Sequence, residues 1–167
     1  MNNIILIGMP GCGKTTVGKL LATRLNRQFI DSDSVFQQTV HPNISEYFSS
    51  QGEDSFRCEE TRILTQLVQK SDCIIATGGG IVECAENKDI LQSGGMVVFI
   101  DRPTENIMED IQTSTRPLLA QGKERLLSLY ERRYQKYIDF SHIQIKNIGS
   151  LQEVTDKIIN EVNNNNV

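Results

Sequence analysis

Short, uninterrupted apolar runs recur along the chain: Ile4-Ile5-Leu6-Ile7, Phe29-Ile30, Cys73-Ile74-Ile75-Ala76 and Met96-Val97-Val98-Phe99-Ile100, with a weaker alternation at Ile143 and Ile145. Runs of this length, rich in β-branched residues, predict strands buried on both faces. Between them the apolar period changes. Val17, Leu20, Leu21 and Leu25 share one face of a helix over 15–25, Ile63, Leu64, Leu67 and Val68 repeat that spacing after Glu59 and Glu60, and another helix is predicted over 151–162. Strands alternating with helices predict an α/β fold, a parallel sheet with right-handed crossovers and helices on both faces. Ligands of such sheets bind beyond the carboxyl ends of the strands, which points to the loops after Ile7, Ile30 and Thr77.

No repeat or Pro/Ser-rich linker divides the chain, so a single domain over 1–162 is expected, followed by a polar tail over 163–167. The segment 113–123, with Ser114, Pro117, Gln121 and Gly122, is polar and turn-rich between two helical patterns and reads as a mobile lid. The 167 residues are 38% hydrophobic and 23% charged, a balance that excludes collagen-like, disordered and coiled-coil chains. Lys and Arg number 17 against 21 Asp and Glu, so the net charge of -4 provides no global field for nucleic acid or an anionic membrane. Any anion must be held by a local site. No apolar run approaches the roughly 20 residues that span a bilayer, and the start lacks the basic region of an export signal. The expectation is a soluble, cytoplasmic protein with no nucleic-acid or membrane partner. Cys12, Cys58, Cys73 and Cys84 form no C-x-x-C pair and have only His41 and His142 to join them, which argues against a zinc knuckle and a disulfide framework. They are read as packing residues, and the histidines as surface or structural groups.

Local chemistry begins at Gly8-Met9-Pro10-Gly11-Cys12-Gly13-Lys14-Thr15, which fits G-x-x-x-x-G-K-[ST] directly after an apolar strand and directly before an amphipathic helix. Glycines let successive amides turn inward around an anion, the helix N-terminus adds partial positive charge, Lys14 reaches the β and γ phosphates, and Thr15 offers a hydroxyl to Mg²⁺. After the second strand, Asp31-Ser32-Asp33 puts two carboxylates at the mouth of that phosphate site. One suits orienting the metal and its waters, the other accepting a proton from an attacking hydroxyl; taken alone, Asp33 also suits a helix N-cap. Thr77-Gly78-Gly79-Gly80 follows the third strand and permits close approach of backbone to a ligand. Arg57, Arg116 and the pair Arg132-Arg133 are guanidinium groups outside the phosphate loop, suited to an anionic acceptor.

Taken together, the phosphate loop, the D-x-D, Phe56-Arg57 before Glu59-Glu60, the run Ile74-Ile75-Ala76-Thr77-Gly78-Gly79-Gly80 and Arg116-Pro117-Leu118-Leu119 resemble shikimate kinase in order and spacing. The resemblance implies a three-layer doubly wound P-loop fold, with a five-stranded parallel sheet in the order 2-3-1-4-5, a substrate-binding region at about 33–61 and a mobile lid at about 112–124. It implies transfer of the γ-phosphoryl group of ATP to the 3-hydroxyl of shikimate, with Mg²⁺ as cofactor, by a monomer. Carried over, Gly11, Cys12, Gly13, Lys14, Thr15 and Thr16 hold ATP, Thr15 and Asp31 serve the metal, and Asp33 meets the shikimate hydroxyls as base. Arg57, steadied by Glu60, and Arg133 clamp the carboxylate, while Gly78, Gly79 and Gly80 line the ring. Lys14, Asp33 and Arg116 carry catalysis, Arg116 reaching over the transferring phosphoryl group and also contacting ATP.

The chain departs from the family pattern twice. Glu109 stands where the family places an arginine beside adenine, and Arg133-Tyr134-Gln135-Lys136-Tyr137 lacks the proline of R-x-P-L-Y, so that the tyrosine register decides for Arg133 over Arg132 as the second clamp. The rivals are another small P-loop kinase acting on a carbohydrate-like acid such as gluconate or on a nucleotide, and a degenerate nucleotide-binding module. A GTPase switch would need N-K-x-D, and Asn87-Lys88-Asp89-Ile90 lacks the final aspartate.

Overall fold

A computed structural model describes residues 2–113 and 119–164, with side chains described outside 111–121. The elements run β1 (Asn3–Ile7), α1 (Lys14–Leu25), β2 (Gln28–Asp31), α2 (Ser32–Thr39), α3 (Ile44–Val68), β3 (Cys73–Ala76), a 3₁₀ turn (Ile81–Glu83), α4 (Asn87–Gly94), β4 (Gly95–Asp101), α5 (Thr104–Thr113), α6 (Leu119–Phe140), β5 (Ile143–Lys146) and α7 (Leu151–Asn164). The strands form one sheet in the order β2-β3-β1-β4-β5, every neighbouring pair parallel. This is the predicted α/β fold and the order that the resemblance implied.

The apolar runs explain the sheet's centre. All five residues of β1 and all four of β3 are buried, as strands covered on both faces require. Complete burial of a Leu or Ile side chain is worth about 1.5–3 kcal/mol, so these runs nail the middle of the sheet. The edges differ from the expectation: Phe29 is half-buried beside an exposed Gln28, because β2 is an edge strand with one neighbour. Helices α1 and α7 pack together on one face, and α3, α4 and α6 on the other. Asn3 clips the entry to β1, its Nδ2 donating to Lys70 O at 2.8 Å and Gly94 O at 3.0 Å while Oδ1 accepts from Cys73 N.

Several readings change. The helix recognised from Ile63 onward begins much earlier, at Ile44, and bends at Gly52, whose φ of 85° and ψ of 169° break the helical path. α7 continues two residues past the predicted end into the Asn tract, to Asn164. Cys58 is exposed, which corrects its reading as a packing residue; Cys12 and Cys73 are buried, and all four thiols are free. His142 is structural, Nδ1 accepting from Val97 N at 3.0 Å. Asn87 of the imperfect guanine motif is fully buried and donates to Ile81 O, a structural use. Arg116 and the centre of the expected lid lie outside the described residues. No described helix is long and apolar enough to cross a membrane.

Candidate active site

β1 delivers the chain to Gly8, and the loop turns into α1 through Gly11 and Gly13, at φ 78° and 99°. Gly13 caps α1 with no side-chain partner, so the first-turn amides stay available to an anion. A cavity of about 520 Å³ opens over this loop, with Lys14, Thr15, Asp31, Asp33, Gly79 and Arg102 in its wall. Gly11, Gly13 and Thr16 line it too, whereas the Cys12 side chain lies fully buried behind the loop. The Lys14 ammonium donates to Gly8 O at 2.8 Å and Met9 O at 2.9 Å, which ties this cation to the loop it serves.

Thr15 Oγ1 donates to Asp31 Oδ2 at 2.9 Å. The other oxygen of Asp31 accepts from the amides of Asp33 and Ser34, at 3.0 and 3.3 Å, and so caps α2. The capping duty that the sequence offered to Asp33 therefore falls to Asp31, because the carboxylate before the first turn meets the N2 and N3 amides. Asp33 is released from the backbone. Its carboxylate opens to solvent and the cavity, yet the crowding of surrounding protein raises its pKa above the usual aspartate value, with Asp31 adding to the rise and Lys14 and Arg57 opposing it. The Thr15 hydroxyl and Asp31 carboxylate fit a magnesium ion, which keeps most of its waters and takes one or two protein oxygens plus phosphate. Among the described residues no cluster of three or more His, Cys, Asp or Glu offers a self-sufficient metal cage.

Beyond Asp33 lie the half-buried Arg57 and the buried Arg133. Arg57 Nη1 donates to Glu60 Oε2 at 2.6 Å and Nη2 to Glu53 Oε1 at 3.4 Å, while its Nε is buried without a hydrogen-bond partner among the described residues. Glu60 is 6% exposed; burial raises its pKa, Arg57 opposes, and the nearby Asp33 adds to the rise. The glycine triplet makes this crowding possible. A Cβ on Gly78 would stand 2.8 Å from Glu60 Oε1 and 2.9 Å from Asp33 Oδ1, and one on Gly80 would run into the Arg57 guanidinium. Neither has a positive φ, so the requirement is steric. The sequence reading expected these glycines to admit a ligand; in this structure they admit the site's own side chains.

Burial separates the two candidate clamps: the Arg133 side chain is 7% exposed and that of Arg132 54%. Beside Arg133, the Tyr137 hydroxyl donates to Gly79 O at 2.5 Å, and its pKa is pushed up chiefly by burial, with the Arg133 charge opposing. Arg133 also donates to Glu83, which burial alone would raise but which hydrogen bonds from Lys136, Arg133 and Arg132 hold down at about 2.

The structure adds residues the motifs did not reveal. Asn147, after β5, donates from Nδ2 to Cys12 O at 2.9 Å and fills the space beside Gly13. Arg102, after β4, pairs with Asp110 at 2.6 Å and reaches Gly11 O at 3.3 Å, a second cation on the phosphate-loop cavity. Their only sequence signal was position at the carboxyl ends of strands, where α/β sheets gather ligand-binding groups.

A phosphate loop after β1, a carboxylate pair after β2 and the order β2-β3-β1-β4-β5 define a P-loop kinase. The sequence matches the family model for shikimate kinase over residues 10–163, and the chain belongs to that family. A shikimate kinase of Clostridium botulinum (strain Alaska E43 / Type E3) is 43% identical over 164 residues, covering 98% of this chain and 99% of the relative. A shikimate kinase from Acinetobacter baumannii, solved in complex with shikimate, superposes with a TM-score of 0.90 at 34% identity, covering 99% of this chain and 94% of that one. A gluconokinase from Sinorhizobium meliloti shares the fold alone, with a TM-score of 0.63 at 18% identity over 98% and 94% of the chains.

Proposed function

We propose that this protein transfers the γ-phosphoryl group of ATP to the 3-hydroxyl of shikimate, giving shikimate 3-phosphate and ADP. The observation that carries the reading is the position of Asp33. It joins the wall of the phosphate-loop cavity on one side to Arg57 and Glu60 on the other, with Arg57 Nε buried and lacking an acceptor among the described residues. A buried unpaired donor is costly, so a bound carboxylate at Arg57 offsets a standing penalty. Gluconokinase-like chemistry shares the fold, but the family match and the paired arginines favour shikimate.

In this reading the loop amides and Lys14 hold the phosphates, and Asp33 anchors the attacking hydroxyl and accepts its proton as the phosphoryl group transfers. Arg57 and Arg133 fix the acceptor by its carboxylate, so that the hydroxyl, not water, meets the phosphorus. Thr15 and Asp31 would hold Mg²⁺, which when bound neutralises charge on the β and γ phosphates. The domain takes in 1–162, with an acceptor region at about 33–61 and a lid at about 112–124. The chain is proposed to act as a monomer, and the proposed compartment is the cytoplasm, where four unpaired thiols stay reduced.

Arg116 follows from the family pattern and serves the transition state, whose charge spreads over the equatorial oxygens. Arg116→Ala is expected to lower kcat by on the order of 10²- to 10³-fold while moving either KM much less; an unchanged kcat removes Arg116 from catalysis. The first test of the whole reading is ADP release from ATP and Mg²⁺ with shikimate, gluconate or AMP. Release stimulated by shikimate alone is expected, and stimulation by a control instead overturns the acceptor.

A further inference from the structure

Glu83 ends the 3₁₀ turn that follows the glycine triplet, and three cations of α6 converge on it. Arg133 Nε donates to Oε1 at 2.5 Å, Arg132 Nε and Nη2 donate to the same oxygen at 3.1 and 2.8 Å, and Lys136 Nζ donates to Oε2 at 2.9 Å. These contacts are not equivalent. The Glu83 and Arg133 side chains are 13% and 7% exposed, whereas Arg132 and Lys136 are 54% and 40% exposed. Solvent screens the two outer cations, and exposed pairs of that kind contribute little. The Glu83–Arg133 pair is desolvated, and breaking it strands a buried charge.

The geometry of that pair matters more than its strength. Glu83 takes Arg133 by Nε, on one edge of a rigid planar fork whose other edge carries the two Nη atoms. The rest of the guanidinium lies toward the site: its charge is felt at Tyr137, whose hydroxyl donates to Gly79 O, and at Glu60. Glu60 is already committed to Arg57 at 2.6 Å. With Glu83 neutral, Arg133 is drawn toward Glu60, a carboxylate that already feels its charge, and the two clamps compete for one partner.

We propose that Glu83 is a positioning residue for the acceptor: its charge holds Arg133 by Nε so that the Nη edge is presented, in advance, to the acceptor's carboxylate. This rests on the reading of Arg133 as a carboxylate clamp. A fork oriented before binding loses less freedom when the carboxylate arrives, so the effect falls on acceptor affinity and leaves phosphoryl transfer alone.

The test is steady-state kinetics of the full chain with shikimate and with its methyl ester, which lacks the anionic carboxylate. In Glu83→Gln the shikimate KM is expected to rise about tenfold or more, the scale of a charged hydrogen bond, with kcat and the ATP KM within about twofold. The preference for shikimate over the ester shrinks in proportion, and Glu83→Asp, which keeps the charge, recovers part of it. Arg132→Ala/Lys136→Ala leaves the shikimate KM unchanged. An unaltered shikimate KM and ester preference in Glu83→Gln overturn the proposal, as does an equal rise in both substrates' KM, the mark of a merely structural tie. Should Glu83→Gln fail to fold, the double variant decides, because a tenfold rise there assigns the effect to the outer cations. A wild-type chain that ignores shikimate overturns the acceptor reading and this proposal together; normal wild-type kinetics with an unmoved Glu83→Gln overturn this proposal alone.

Discussion

Asparagine at position 33 is expected to lower kcat with shikimate by on the order of 10²- to 10⁴-fold, the range for loss of a positioned general base. ATP binding should stay within about twofold, since the phosphate loop and Lys14 are untouched. The argument comes from the division of labour between two carboxylates two residues apart. Asp31 is spent on the amides of Asp33 and Ser34 and on Thr15 Oγ1, so it has little left for a proton. Asp33 makes no such commitment, and crowding raises its pKa toward the range where a base is useful, with Asp31 adding and Lys14 and Arg57 opposing. The sign of the pH dependence follows. Asp33 must be deprotonated to act, so kcat/KM falls as pH drops through its raised pKa, and the acid limb lies above the ordinary aspartate position. That limb should vanish in Asp33→Asn. A variant with near-normal turnover, or one that keeps the limb, removes Asp33 from proton transfer.

The second large effect is expected at Arg57. Arg57→Lys keeps the positive charge but replaces the planar fork by an ammonium, and the shikimate KM should rise about 10- to 100-fold, from the roughly 1.5–3 kcal/mol of a charge-assisted hydrogen bond. The kcat and the ATP KM should change far less. A companion variant makes the case without altering Arg57 itself. Gly80→Ala places a methyl group against the Arg57 guanidinium, first against the Nη1 that donates to Glu60 at 2.6 Å, so the fork cannot give way without loosening that bond. The displaced fork should give the same acceptor-specific phenotype. A rise confined to the ATP KM in either variant assigns Arg57 to the nucleotide and ends the clamp reading.

These variants also mark how far the motifs could be read. The phosphate loop was fully legible because its function depends on neighbours in sequence: strand, glycines, lysine and helix follow one another without a break. The D-x-D was half legible. Its chemistry was evident, but which carboxylate would cap α2 depended on the angle at which the chain enters the helix, and that assigned the cap to Asp31. The glycine triplet was legible as a place of close approach but not for its protein partners, since the atoms that exclude a Cβ at Gly78 and Gly80 come from α2 and α3, 18 or more positions away in the chain. Arg132 and Arg133 could not be separated by composition. Adjacent helical residues differ by about 100° around the axis, and only the packing of α6 against the 3₁₀ turn decides which of them is buried.

By itself the sequence determined the α/β fold, the central strands, the phosphate loop and the family resemblance that the comparisons then bore out. Those features rest on periodicity and contiguous motifs, which are local properties of a chain. Tertiary structure alone decided the rest: the bend of α3 that brings Arg57 and Glu60 to the site, the capture of Arg133 by Glu83 across 50 residues, the hold of Asn147 on Cys12 and the placing of Arg102 beside the cavity. The physical reason is common to all four. A parallel sheet gathers the ends of distant strands along one edge, and charges that have no pattern in sequence acquire partners only there.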